Sequence, residues 1–211
     1  MQNLILFGGT FDPPHLGHLN TALAVQNHFH FERFIVLPCK LPVLKKASTA
    51  SSEQRVHMLK LTFQPYPEFE IDLREIHRET PSFMVDTLQS LRNELGSEIP
   101  ITLLLGRDAF LQLPQWYKWE KILELCNLLV IQRACTEEVA ISGQLSTLVK
   151  QHEVTDKSEL LKQPFGKIYQ YNAGEYPISS SELRQKIARD EDVAPYLPEG
   201  VYQYIKNQTL Y

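Results

Sequence analysis

The chain has 211 residues with a formal net charge of −4, 43% hydrophobic and 22% charged. A chain of this length buries roughly 70% of its unfolded surface, so it needs no disulfide or metal staple, and one domain over 1–211 is expected. The acidic balance excludes a global basic field for nucleic acid. The three cysteines (Cys39, Cys126, Cys135) lack a CxxC spacing and read as free thiols of a reducing compartment. The start "MQNLILFGGT" lacks a basic n-region, and no run approaches the ~20 apolar residues of a membrane span. A soluble, cytoplasmic protein with neither nucleic-acid nor membrane partner is expected.

In chain order, strand-like runs at 3–7, 34–38, 69–73, 101–105, 128–132 and 167–171 alternate with helix-like segments. "LILF", "ITLLL" and "LLVIQ" lack polar alternation, as strands buried on both faces do. Helices are predicted at 16–29, 52–63, 84–95, 119–125, 136–152, 180–189 and 198–207. The second begins with the capping pattern Ser51-x-x-Gln54, and the third ends at Gly96, a C′ residue. This alternation predicts an α/β fold: a doubly wound, mostly parallel sheet with right-handed crossovers and C-terminal helices. Residues 39–52, basic and without periodicity, read as a mobile loop. Residues 136–163 offer nothing diagnostic.

Residues 8–18, "GGTFDPPHLGH", connect the first strand to the first helix. In open α/β sheets that edge, outside the carboxyl ends of the strands, is where ligands bind. The helix start near Leu16 turns unpaired N–H groups toward it, which favours anions. His15 and His18 stand three apart across the helix start, so both rings can project to one side and donate to phosphate oxygens. The plain alternative is one capping and one packed histidine. A zinc site lacks a third ligand nearby. Gly8, Gly9 and Gly17 allow close backbone approach, and Pro13-Pro14 stiffens the helix start. Neither GxGxxG nor GxxxxGK[ST] is present.

Three further stretches carry candidate chemistry. "ISSSELR" (178–184) offers Ser179, Ser180 or Ser181 as a helix cap, with Arg184 one turn on and able to reach the same anion. An ordinary cap with a solvent-facing arginine is the simpler reading. "GRDAFLQLPQWYKWEKI" (106–122) follows a strand: Gly106 admits a ligand to the strand end, and Asp108 can accept from ribose hydroxyls. Of Trp116 and Trp119, one can stack on an aromatic ring while the other packs inward; two core tryptophans are the alternative. "RETPSFMVDTL" (78–88) is a Pro-Ser helix start that could hold a small carboxylate, or simply a capped helix. Lys40, Lys45 and Lys46 either meet phosphates as point charges or lie solvated. His57, His77 and His152 read as structural.

These stretches resemble the T/HxGH nucleotidyltransferase superfamily, and the long form GGTFDPxHxGH resembles the nicotinate mononucleotide adenylyltransferases of bacteria. The resemblance runs from Asn3 to about Ile187. "ISSSELR" is similar to the family's ISSTxIR, with Ser181 for Thr and Leu183 for Ile. "PSFMVDTL" is similar to PSYTxxTL, with Phe83 and Met84 for Tyr and Thr. Residues 106–122 match GxDxxxxLxxWxxWExI. Lys45 aligns with a family lysine, whereas Leu44 stands where histidine is expected. Arg133 follows its strand as a family arginine does, with Ala134-Cys135 replacing Pro-Gly.

The resemblance implies one Rossmann-like nucleotidyltransferase domain that transfers the adenylyl group of ATP to nicotinate mononucleotide. It implies catalytic roles for His18 at the α-phosphate and His15 beside it. ATP would be held by Gly8, Gly9, Thr10, Gly106, Asp108 and Arg133, with Ser179, Ser180 and Arg184 at the polyphosphate. The mononucleotide would meet Lys45, Ser82, Phe83, Met84 and Trp116, with Trp119 in the core. Mg²⁺ would be held mainly through ATP phosphates, with no protein-built metal site. The alternatives are nicotinamide mononucleotide or another small phosphorylated acceptor, and a regulator that binds nucleotide without turnover. Oligomeric state is left open.

Overall fold

The computed structural model describes residues 2–41, 48–132, 143–174 and 176–211. Leu4–Gly9 (β1), Leu16–Phe29 (α1), Arg33–Pro38 (β2), Ser52–Phe63 (α2) and Phe69–Ile71 (β3) alternate through the first third. Arg74–His77 (α3) and Met84–Leu95 (α4) lead to Ile101–Gly106 (β4), then Arg107–Leu111 (α5) and Ile122–Leu125 (α6) to Asn127–Gln132 (β5). Gln144–His152 (α7), Ser158–Lys162 (α8), Ile168–Asn172 (β6), Ser180–Ala188 (α9) and Glu199–Gln208 (α10) follow. The six strands form one sheet in the order β3-β2-β1-β4-β5-β6, with every pair parallel.

Parallel strands joined by crossovers acquire helices on both faces, and the side chains sort accordingly. Leu4, Leu6, Leu103 and Val130 pack against Leu88 and Leu91 of α4, Phe110 of α5 and Ile122 of α6. Ile5, Leu104 and Leu129 point the other way, into Val25 and Phe29 of α1, Leu59 and Phe63 of α2 and Leu160 of α8. Every residue of "ITLLL" is therefore buried, and no polar alternation survives in it. A third cluster joins α2, α9 and α10 through Met58, Leu183, Val201 and Ile205. Among the described residues no helix is long and apolar enough to cross a membrane.

The predicted elements return with shifts that have local causes. The strand expected at 69–73 stops at Ile71, because Asp72 turns to accept from the backbone and side chain of Arg74 at 2.8 and 2.7 Å and opens α3. The helix expected at 119–125 is a 3₁₀ turn, Trp119–Lys121, followed by α6. That expected at 136–152 is described from Gln144 onward, and α8 was not expected at all. The capping box of Ser51 and Gln54 forms, and Gly96 ends α4 at φ 85°.

The strand order places the site. β1 lies between β2 and β4, where the winding of the sheet reverses. Pairing between β1 and β4 stops at Phe7↔Leu104, yet β1 continues to Gly9 and β4 to Gly106. Beyond that last rung the two strands part, and a cleft opens between them.

Candidate active site

The cleft has two lobes that share Gly8, Gly9, Thr10, Gly106, Asp108 and Ala109 as common ground. The first lobe is bounded by His15, His18, Tyr176, Ser180, Ser181 and Arg184. The second is bounded by Ser82, Phe83, Met84, Trp116 and Tyr117, with Leu41 and Glu75 at its wall. A Cβ on Gly106 would meet nothing within 4 Å, so this strand end lies open to the cleft.

In the first lobe the histidines are held by the backbone of the α1 start. His15 is the N-cap residue, only 3% exposed, and its backbone N–H donates to His18 Nδ1 at 3.2 Å. The proton of a neutral His18 ring therefore resides on Nε2. The rings of His15 and His18 lie 3.8 Å apart, and Phe11 meets His18 at 5.0 Å in an edge contact. Packing thus locks both imidazoles. Gly17 is required by that packing: a Cβ there would lie 2.9 Å from His15 Nδ1. A Cβ on Gly9 would lie 2.9 Å from the Phe11 ring, and one on Gly8 3.2 Å from Met84 Cε. The close approach these glycines permit comes first from the protein's own side chains.

α9 brings the serine-rich stretch to the same lobe. Ser179 is the cap: its hydroxyl accepts from Glu182 N at 3.2 Å and donates to the Glu182 carboxylate at 2.7 Å. It lies outside the cleft lining, which Ser180 and Ser181 reach instead. Ser180 Oγ donates to Pro13 O at 2.9 Å, joining α9 to the signature turn. Arg184 Nη1 donates to Asp12 O at 2.5 Å and lies 3.8 Å from the Asp12 carboxylate.

In the second lobe, Trp116 faces the cleft while Trp119 packs on the core. Phe83 meets the exposed Tyr117 ring at 4.6 Å, tilted by 36°. Ser82 Oγ accepts from Lys40 N at 3.1 Å, and Lys40 Nζ donates to Arg78 O at 2.9 Å. Lys40 therefore ties the end of β2 to the start of α4, which differs from the phosphate partner or solvated lysine expected of it. Glu75 accepts from Thr87 Oγ1 at 2.7 Å, and Arg78 Nη1 donates to the same hydroxyl at 2.9 Å. Burial raises the Glu75 carboxyl above its ordinary value, opposed by the Thr87 hydrogen bond and the Arg78 charge.

Arg55 supports both lobes and was missed in the sequence. Fully buried, it donates to the carbonyls of Thr10, Cys39 and Lys40 at 2.7, 2.8 and 3.0 Å. The signal was present: Arg55, Met58, Leu59 and Thr62 are all buried and fall at i, i+3, i+4 and i+7, so the arginine lies in phase with the inward stripe. Asp12 stands inside the signature, which gave it no role of its own, and nothing local marks Glu75 or Tyr211. Lys45 and Arg133, expected at the mononucleotide and at ATP, lie outside the described residues, as do Leu44, Lys46 and Ala134-Cys135. Of the candidates among the described residues, Ser179 and Lys40 stand off the cleft lining.

Comparison with known proteins identifies the family. A cytidylyltransferase-like family model matches residues 6–186. The probable nicotinate-nucleotide adenylyltransferase of Legionella pneumophila (strain Paris) is 50% identical over 211 residues, the whole of both chains. The protein of the same description from Serratia proteamaculans (strain 568) is 36% identical over 206 residues, 98% of this chain and 94% of the relative. The structure of Plasmodium falciparum nicotinic acid mononucleotide adenylyltransferase complexed with NaAD shares the fold at a TM-score of 0.73. That match has 22% identity and covers 100% of this chain and 98% of the other. Identity of this extent over the full length makes the chain a member of the cytidylyltransferase-like family, among its nicotinate-nucleotide adenylyltransferases.

Proposed function

We propose that the protein transfers the adenylyl group of ATP to nicotinate mononucleotide, giving nicotinate adenine dinucleotide and pyrophosphate in NAD biosynthesis. The observation that carries this reading is the pair of lobes meeting at Gly8, Gly9 and Gly106. One offers imidazole, hydroxyl and guanidinium groups suited to a polyphosphate, the other an aromatic wall suited to a pyridine ring. Residues 1–211 are read as one nucleotidyltransferase domain working in the cytoplasm.

In this reaction a 5′-phosphate oxygen of the acceptor bonds to the α-phosphorus as the bond to the bridging oxygen of pyrophosphate breaks. The attacking group is already an anion, so no protein base is needed. Positioning and charge stabilisation supply the catalysis. His18 Nε2–H donates to the α-phosphate oxygens, with His15 buttressing it. Ser180 and Arg184 hold the outer phosphates, and the backbone of Gly9 and Thr10 closes on the nucleotide. Among the described residues no group of three or more His, Cys, Asp or Glu side chains is placed to hold a metal ion. Mg²⁺ carried on ATP would supply neutralising charge to the phosphate oxygens. Release of pyrophosphate from Mg-ATP, run in parallel with nicotinate and nicotinamide mononucleotides, tests the reading. Preference for the acid supports it, preference for the amide overturns the acceptor, and silence with both overturns the activity.

A further inference from the structure

We infer that Tyr211 is a positioning residue for ATP: through Asp12 it holds Arg184 available to the phosphates. This rests on the ATP lobe proposed above. After α10, Thr209 adopts φ 50° and Leu210 N donates back to Ile205 O at 3.1 Å, so the chain reverses. Leu210 and Tyr211 then pack on the cluster of Ala50, Met58 and Ile205. The Tyr211 hydroxyl donates to Asp12 Oδ1 at 2.7 Å. Burial, and then the hydrogen bond to Asp12, raises the phenol above its ordinary value, so it remains a donor at every working pH.

Asp12 is 3% exposed and lies inside the signature turn. Besides Tyr211, its Oδ1 accepts from Ala50 N at 3.1 Å and its Oδ2 from Thr49 N at 2.7 Å. Three neutral donors thereby fix the rotation of the carboxylate. Arg184 answers to that rotation. Its Nη1 grips the main-chain carbonyl of Asp12 at 2.5 Å and stands 3.8 Å from Oδ2. The guanidinium is therefore close to the carboxylate without forming a direct ionic hydrogen bond to it. Its side chain remains 30% exposed on the lobe that His18 and Ser180 also line.

Asp12 and a bound polyphosphate compete for the same cation. With the Tyr211 hydroxyl removed, Oδ1 keeps Ala50 N and Oδ2 keeps Thr49 N, but the carboxylate loses its one side-chain donor and attracts Arg184 more strongly, toward a charge-assisted pair. The cation is then drawn off the phosphates. Tyr211→Phe is expected to raise both the KM and the Kd for ATP by roughly fivefold. The acceptor KM and kcat should stay within about twofold, since Tyr211, Asp12 and Arg184 are not among the residues that line the second lobe.

The decisive experiment is calorimetric titration of an ATP analogue that cannot transfer its adenylyl group, with Mg²⁺. It is run on the parent, Tyr211→Phe, Arg184→Gln and the double variant, alongside thermal melting. The expected result is a loss of affinity in Tyr211→Phe that vanishes in the Arg184→Gln background. An unchanged Kd in Tyr211→Phe, or the same loss with Arg184 already removed, overturns the inference. So does a lowered melting temperature with unaltered affinity, the mark of a merely structural role. ATP binding without pyrophosphate release would sink the proposed reaction alone, because the titration needs no turnover.

Discussion

Gly17→Ala tests whether the histidine pair is held by steric fit. Gly17 is buried in the first turn of α1, and its missing Cβ leaves room for the His15 ring. An alanine Cβ would stand 2.9 Å from His15 Nδ1, 3.0 Å from Cε1 and 3.3 Å from Tyr176 Cβ, where ordinary contact begins at 3.4 Å. The His15 ring must therefore give by about 0.5 Å. A displacement of 1 Å in a catalytic group can cost about 100-fold in rate, so half of that predicts roughly a tenfold loss of kcat. Stability should fall by about 0–2 kcal/mol. Alanine gains up to about 1 kcal/mol of helix propensity, which offsets part of the roughly 1–3 kcal/mol that overpacking costs. Steady-state pyrophosphate release and a melting curve on the same preparation separate the two effects. A folded variant with kcat within twofold of the parent would refute the claim that the turn sets His15 against His18.

His18→Ala should lower kcat by about 10²–10³-fold, with a much smaller change in ATP affinity, since its donor is aimed at charge that develops during transfer; equal losses in both would make it a binding residue only. Trp116→Ala should raise the KM for the mononucleotide severalfold, and a rise confined to ATP would mean the lobes are assigned the wrong way round. Glu75→Gln addresses pH. Burial raises the folded carboxyl above its ordinary value of 4.5, so the stability of its protonated form is whole below that value and lost as pH rises through the folded one. The melting temperature of the parent should therefore fall relative to Glu75→Gln as pH rises above 4.5, and a difference that stays flat would contradict the shift.

By itself the sequence determined the layered α/β fold, because burial on both faces strips polar alternation from runs such as "ITLLL" and leaves a mark within a few residues. It also determined the signature turn, since a turn, a cap and a helix start are local events: His15 N reaches His18 three residues away. The roles of Ser179 and Ser180 were less legible. Any of three adjacent serines can cap a helix, and the structure gives the cap to Ser179 and turns Ser180 toward Pro13. Tertiary structure alone decided the supports behind the site. Arg55 meets Thr10 across 45 positions, and Tyr211 meets Asp12 across 199. Helical periodicity can place Arg55 on the inward face, but the partners exist only once the sheet and helices have brought distant segments together, and no spacing names the far end of such a hydrogen bond.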